Sequence, residues 1–547
     1  MKHPRDGFET PRYVALAFAA ALAGRREAML AATVCNQVRA SWLYLRGAPL
    51  APISGGRARD ADMIPPTVNL SWLPPVFAQA SERLVGTFGE FAGGATVWLA
   101  VTGLSRSGKT VFITSLIHNL LSALHNPNRM PLLDMVGERR LIAATLETAN
   151  AHRLPRFPYF SNIEAMAGRA PDWPIRTIDI SEIGIDIRFT PANTLGKLLS
   201  EITGSPARLT LRIVDYPGEW LLDLPLLEQS FAEWSRATMQ SLHSGSRAAI
   251  ANDFLTYVGR HRPDEPASDE VARAAHELYC AFLFKARDQH GLSYLQPGRF
   301  LCPGTLADAP YLWFAPLDFG EDVHLLAPYS LGALMAERFE TYKREAVSAF
   351  YEDHFRHYSR QIVLVDILRA LLAGREAFED TRRALGVIID SFRYGHGGIL
   401  SKLLLGPHID KALFAATKAD HVPDIQRDHL AALLRNMTAL PAIDMRSSNA
   451  QLDVTAIASV ISTAEDSQMI DGQRVQVVLG RPVGAKTQSK FFVGNVPIRP
   501  PRPDAWGSPF LNVPVFEPPT IDPSPIDGIP HINLDVALQF LLGDRLR

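Results

Sequence analysis

Gly103, four further residues, then Gly108, Lys109 and Thr110 stand in the stretch WLAVTGLSRSGKTVFITSLIHNLL, residues 98–121. The run before them reads as a strand and the run after them as a helix. GxxxxGK[ST] in that setting is the spacing of a phosphate-binding loop. Glycines let backbone N–H groups converge on phosphate oxygens, and the helix N-terminus adds its positive end. Lys109 is expected to reach the β and γ phosphates and the Thr110 hydroxyl to ligate Mg²⁺, with Ser105, Arg106, Ser107 and Val111 completing the loop. Arg106 reads as a solvated loop residue rather than a catalytic arginine.

Two further motifs follow in the order of a nucleotide switch. LTLRIVDYPGEW closes a strand with Asp215 and carries Gly218 three residues on. In GTPase-like domains this DxxG holds Mg²⁺ through water and meets the γ-phosphate with the glycine N–H. The plainer reading, a DYPG turn, stays open. Glu219 occupies the place where many small GTPases carry a water-orienting glutamine; a carboxylate there adds negative charge beside the γ-phosphate and predicts slow intrinsic turnover.

Thr417, Lys418 and Asp420 in ALFAATKADHVP match [NT]KxD directly after a strand. A carboxylate there can accept two hydrogen bonds from guanine, whereas adenine lacks that donor pair and would leave it unpaired. Ala458 and Ser459, near the end of the next strand, are in place to offer backbone N–H to the guanine oxygen. Thr190 and Thr194 are alternatives for the threonine that closes on Mg²⁺. An ordinary strand end with solvated Lys and Asp is the competing reading of residues 417–420.

These residues need a sheet to hold them. TVWLAVTG, IGIDIRF, LTLRIVD, QIVLVDI, ALFAATK and DVTAIASVI are predicted strands, separated by longer helical patterns, which predicts an α/β P-loop NTPase (GTPase-like) fold with a mainly parallel sheet and flanking helices. The spacing divides the chain into an N-terminal helical extension (1–65), the first part of a nucleotide-binding domain (66–221), an α-helical insertion (222–358) and the second part of that domain (359–496). A proline-rich strap and docking helix (497–547) follow. Within the insertion, Leu227, Phe231 and Trp234 share a helical face, SDEVARAAHELYCAFLFKARD opens on a serine cap, and Trp234 and Tyr279 are expected in the core. Residues 497–530 hold 11 prolines, too many for a helix or central strand. HINLDVALQFLLGDRLR then reads as a short amphipathic helix capped by Asn533.

Composition excludes several classes. With 547 residues, 47% of them hydrophobic, the chain can bury more than one core. Lys and Arg total 55 against 57 Asp and Glu, so no basic field gathers nucleic acid, and no direct nucleic-acid binding is expected. Three scattered cysteines suit a reducing compartment rather than a disulfide framework. The uninterrupted apolar run Tyr13–Ala23 is too short to span a bilayer.

Taken together, VTGLSRSGKTVFITSLIHNLL, LRIVDYPGEWLLDLPLL, PGRFLCPGTLADAPYLWFAPL, RQIVLVDILRALLAG, FAATKADHV and INLDVALQFLLGDRL resemble the YcjX family of bacterial P-loop proteins, over residues 68–547. The resemblance implies a GTPase-like nucleotide domain with a helical insertion and an association with stress responses and the cell envelope. The cofactors expected are Mg²⁺ and GTP or GDP, with ATP as the alternative. A protein partner meeting the helical insertion is expected, in a cytoplasmic setting with peripheral contact at the inner membrane. Three functions are weighed: a nucleotide-gated switch, an ATPase or GTPase driving work on a partner, and, less well supported, a P-loop kinase.

Overall fold

A computed structural model describes residues 94–148, 154–175, 179–320, 327–392, 409–445, 451–470, 472–507 and 511–547. The predicted extension over 1–65 lies outside the described residues. Two compact units are present. Among the described residues, one comprises Gly94, Ala95, Phe189–Arg208 and Arg547, and the other Thr96–Arg188 with Leu209–Leu546. In the smaller unit, the Asn193 side chain accepts from the Gly196 N–H at 2.6 Å and caps a helix over Thr194–Thr203, which Gly204 ends in the left-handed conformation. Thr190 and Thr194 both belong to this unit.

Seven strands form the main sheet: β1 (Ala95–Gly103), β2 (Leu141–Leu146), β3 (Ser181–Phe189), β4 (Ala207–Asp215), β5 (Arg360–Val365), β6 (Lys411–Ala416) and β7 (Gln451–Ala456), in the order β2-β3-β4-β1-β5-β6-β7. β1 pairs parallel with β5, β5 with β6 and β6 with β7. All six residues of β5 are buried, as expected of a strand covered on both faces. The order reverses at β1, and in such sheets the crevice at the C-terminal strand ends is where ligands bind.

All six predicted strands are present. β2, at the sheet edge, was not foreseen. Nor was a separate antiparallel sheet of β8 (Thr463–Ile470), β9 (Gln473–Gly480) and β10 (Ser489–Phe491), of which β8 and β10 hold no buried residue. The Asp471-Gly472 dipeptide between β8 and β9 was its available signal.

Helices α1 (Lys109–Ser122), α2 (Phe231–Leu242), α3 (Asp269–Asp288), α4 (Leu331–Tyr342), α5 (Ile367–Leu372), α6 (Arg375–Ser391), α7 (Arg427–Met445) and α8 (Leu534–Leu542) complete the frame. Between β4 and β5 the described residues contain helices and turns but no strand. The Ser230 hydroxyl accepts from the Glu233 N–H and the Glu233 carboxylate from the Ser230 N–H, so α2 begins at Phe231 and Leu227 lies before it. Ser268 caps α3 as expected. Trp234 and Tyr279 are buried among Phe254, Phe300, Phe314 and Phe339. This aromatic layer is continuous with sheet residues Val214, Val363 and Phe414, so insertion and sheet share one core.

The C-terminal helix docks on the sheet. The Lys411 ammonium donates to the Phe540 carbonyl at 2.8 Å and the Arg360 guanidinium to the Leu541 carbonyl at 2.9 Å. Asn533 does not cap α8. It sits in the left-handed conformation with its amide donating to the Ala456 carbonyl at 2.9 Å, and His531 Nδ1 accepts from the Leu534 N–H instead.

Candidate functional site

The phosphate-loop residues close the end of β1. Gly108 and Arg106 both take left-handed backbone, φ 86° and 62°, which turns the chain sharply enough for α1 to start at Lys109. A Cβ at Gly103 would strike the Ser107 side chain and come within 2.5 Å of the Leu364 carbonyl oxygen, so only glycine fits between loop and β5. Lys109 Nζ lies 3.4 Å from the Gly103 carbonyl, across the mouth of the loop. The buried hydroxyls of Ser105 and Ser107 have no hydrogen-bond partner among the described residues. Burying such groups is costly unless a ligand completes them. Val111 sits half-buried in the first turn of α1, and Arg106 is exposed.

β4 delivers Asp215 and Gly218 beside this loop. Asp215 is buried at the strand end. The Gly218 Cα is so close to Gly103 that a Cβ there would lie 2.5 Å from the Gly103 carbonyl oxygen. Thr110 stands in the first turn of α1, which follows β1, and Asp215 closes β4, the strand beside β1; a hydroxyl and a carboxylate are hard oxygen donors of the kind that suits Mg²⁺. No cluster of three or more His, Cys, Asp or Glu exists among the described residues to hold a metal unaided.

Glu219 opens a 3₁₀ segment, Gly218–Glu228, and is buried. Its backbone is pressed by Gly298 of the insertion, where a Cβ would come within 2.5 Å of the Glu219 carbonyl carbon. Four residues on, Asp223 is buried and accepts from the Gly298 N–H at 2.8 Å and the Tyr342 hydroxyl at 2.5 Å. Burial pushes this carboxyl up to about 7, opposed by its hydrogen bonds to Tyr342, Gly298 and Arg299 and by the Arg299 charge.

The third motif sits at the end of β6. The Thr417 N–H donates to the Val365 carbonyl at 2.9 Å. Lys418 takes φ 62° and its ammonium pairs with Asp366, at the end of β5, at 2.6 Å. Asp420 is buried; its Oδ2 accepts from both the Ser462 N–H, at 2.8 Å, and the Ser462 hydroxyl, at 2.7 Å. The adjoining His421 is held below its ordinary range by burial, against the pull of Asp420.

The structure redistributes the fourth element. The Ala458 N–H donates to the Ile532 carbonyl at 3.1 Å and Ile532 returns the bond at 2.8 Å, so this amide is committed to the C-terminal strap. The Ser459 carbonyl accepts from the Ser115 hydroxyl at 2.5 Å. Ser462, three residues further along, is the residue that meets Asp420. Sequence reading missed it, as it missed Asp366, which stands near the end of the predicted strand QIVLVDI.

Sequence reading also missed two arginines. Arg287, at the end of α3, donates through Nε and Nη2 to Asp288 at 3.0 and 2.8 Å, and Arg369 of α5 donates to the Arg287 carbonyl at 3.2 Å. Asp288 also pairs with Arg106 of the loop at 3.6 Å.

The profile of the YcjX-like family, DUF463, matches residues 97–546. The chain is 36% identical over 455 residues to the protein named Ras-like GTPase YcjX of Escherichia coli (strain K12), covering 82% of this chain and 96% of that protein. It is 34% identical over 463 residues to the protein of the same name of Shewanella oneidensis (strain MR-1), covering 82% and 94%. A parallel sheet with a phosphate loop at its order reversal, and similarity across nearly the full length of both relatives, lead to one conclusion: the chain belongs to the YcjX-like family.

Proposed function

We propose that this chain binds GTP in Mg²⁺-dependent fashion, hydrolyses it slowly, and acts as a nucleotide-gated switch. The carrying observation is Asp420: a buried carboxylate at the end of β6, held from one side by Ser462, at the strand-end crevice that also contains the phosphate loop. Guanine supplies two donors to such a carboxylate and adenine does not. The name Ras-like GTPase of the two relatives supports the same reading. Gly103, Ser105, Ser107, Gly108, Lys109 and Thr110 would cradle the phosphates, Thr110 and Asp215 would hold Mg²⁺, and Gly218 would sense the γ-phosphate.

The helical insertion, adjoining Glu219 through Gly298, is the surface a protein partner would meet, and a role in a bacterial stress or envelope process, cytoplasmic or peripheral at the inner membrane, is part of this reading. No helix among the described residues is long and apolar enough to cross a membrane. Titrating the purified chain with fluorescent GDP and ADP, and identifying the nucleotide that co-purifies, tests the proposal. Preference for GDP supports it; equal or stronger binding of ADP favours an ATPase working on a partner.

A further inference from the structure

A small cavity adjoins the phosphate loop on its Leu104–Ser105 shoulder. Its other walls come from the end of β5 and α5 (Val365, Asp366, Arg369), from the end of α3 and the residues that follow it (Arg287, Leu292, Ser293), and from Thr381 of α6. At about 20 Å³ it has room for one group the size of a water molecule and not for a second ligand.

Arg287 is 5% exposed. Two of its nitrogens are tied to Asp288, which fixes the direction of the guanidinium; the third, Nη1, is buried without a hydrogen-bond partner among the described residues. Nη1 of Arg369 and the hydroxyl of Ser105, which line the same cavity, are in the same condition. Burial, reinforced by the nearby Arg106 charge and opposed by Asp366 and Asp288, pulls the Arg369 guanidinium below its usual range. Asp288 and Asp366 are the carboxylates facing this group, and Asp366 is already paired with Lys418. A buried guanidinium edge with no acceptor is costly, so the site is built for an anion that arrives with the ligand.

Resting on the GTPase reading above, we infer that Arg287, carried by the helical insertion, contacts the terminal phosphate of the bound nucleotide and stabilises charge during hydrolysis in cis. Arg369, bonded to the Arg287 carbonyl, is a positioning residue. In the reaction, the oxygen of water forms a bond to the γ-phosphorus while the bond from that phosphorus to the β–γ bridging oxygen breaks. The electron pair leaves on GDP and the proton of water passes to inorganic phosphate. Arginine in this role needs no partner protein to deliver it, and it offsets the negative charge that Glu219 brings to the site.

The test uses the full chain and its Arg287→Ala and Arg287→Lys variants, with single-turnover GTP hydrolysis in Mg²⁺ and titration of fluorescent GDP with and without aluminium fluoride. The expected result is a fall in hydrolysis on the order of 10³-fold for Arg287→Ala, the scale of other catalytic arginines. Arg287→Lys should recover little, because it lacks the fixed planar fork. GDP affinity should stay within about threefold in both variants, below the tenfold that 1.4 kcal/mol represents. Aluminium fluoride should tighten GDP on the wild type alone. Unchanged hydrolysis in Arg287→Lys, or GDP and GTP weakened equally in either variant, overturns the role of Arg287 while leaving nucleotide binding intact. A wild-type chain that binds neither nucleotide removes the proposed function and this inference together.

Discussion

Gly218 and Gly103 meet backbone to backbone: a Cβ on Gly218 would stand 2.5 Å from the Gly103 carbonyl oxygen and 2.8 Å from its carbon, both backbone atoms. The exit of β4 and the first residue of the phosphate loop are thereby coupled without an intervening side chain. Gly218→Ala must displace one or the other, and we expect a stability loss of about 1–3 kcal/mol, the scale of overpacking, with weakened GTP binding. A thermal melt with and without nucleotide checks this; a variant as stable and as tightly binding as wild type would show that the contact is not tight in solution.

Lys109→Ala should abolish detectable nucleotide binding while the melt stays cooperative, because on the proposed reading it removes a charge-assisted phosphate contact, at a half-exposed position that opens α1. Unchanged affinity would sink the phosphate-loop reading.

Asp420→Asn should weaken GTP by about 2–4 kcal/mol and leave ATP almost unaffected, since on the proposed reading it replaces the carboxylate that would accept from guanine. Ser462→Ala removes one of the two bonds that hold Asp420 Oδ2 and should cost about 1 kcal/mol of GTP affinity. Equal losses for both nucleotides would make the pair structural.

Glu219→Gln should speed single-turnover GTP hydrolysis by roughly tenfold if about 1.4 kcal/mol of unfavourable electrostatics is relieved. Rapid-quench time courses started with Mg²⁺ give the answer. No acceleration would mean that Glu219 orients water itself or acts only in packing against Gly298.

Asp223 links the 3₁₀ segment after Gly218 to the insertion, and its carboxyl is raised from its ordinary range to about 7 by burial. A carboxyl raised in the folded state contributes stability that is fully present below its unfolded pKa, near 3.8, and is lost as pH rises through 7. Melts of wild type and Asp223→Asn between pH 5 and pH 8 should therefore show wild type gaining relative to the variant on acidification. A constant difference across that range would contradict the shift.

The local signals were strong where physics is local. Six of the seven strands of the main sheet were legible as apolar or alternating runs; β5 and β6 read most clearly, because a parallel strand covered on both faces is mostly apolar. The cap on α3 and the glycines of the phosphate loop were legible because a serine before an acidic first turn, or a glycine where the chain must turn left-handed, meets its requirement within a few residues. β2 and the antiparallel sheet of β8–β10 were not, since short edge strands and polar hairpins take their stability from pairing rather than from composition.

What the tertiary structure alone decided is who faces whom across the crevice. Ser462 meets Asp420 from 42 residues further along the chain, while the Ala458 amide, nearer the strand end, is claimed by Ile532 from the C-terminal strap. Asn533 could cap a helix by residue type, but its amide found the Ala456 carbonyl. Arg287 lies 178 residues from Lys109 in the chain, yet shares a cavity with the loop that Lys109 closes. A motif states which atoms can contact a phosphate or a base. The one core shared by sheet and insertion determines which distant charges are brought there, and no short-range pattern of residues encodes that packing.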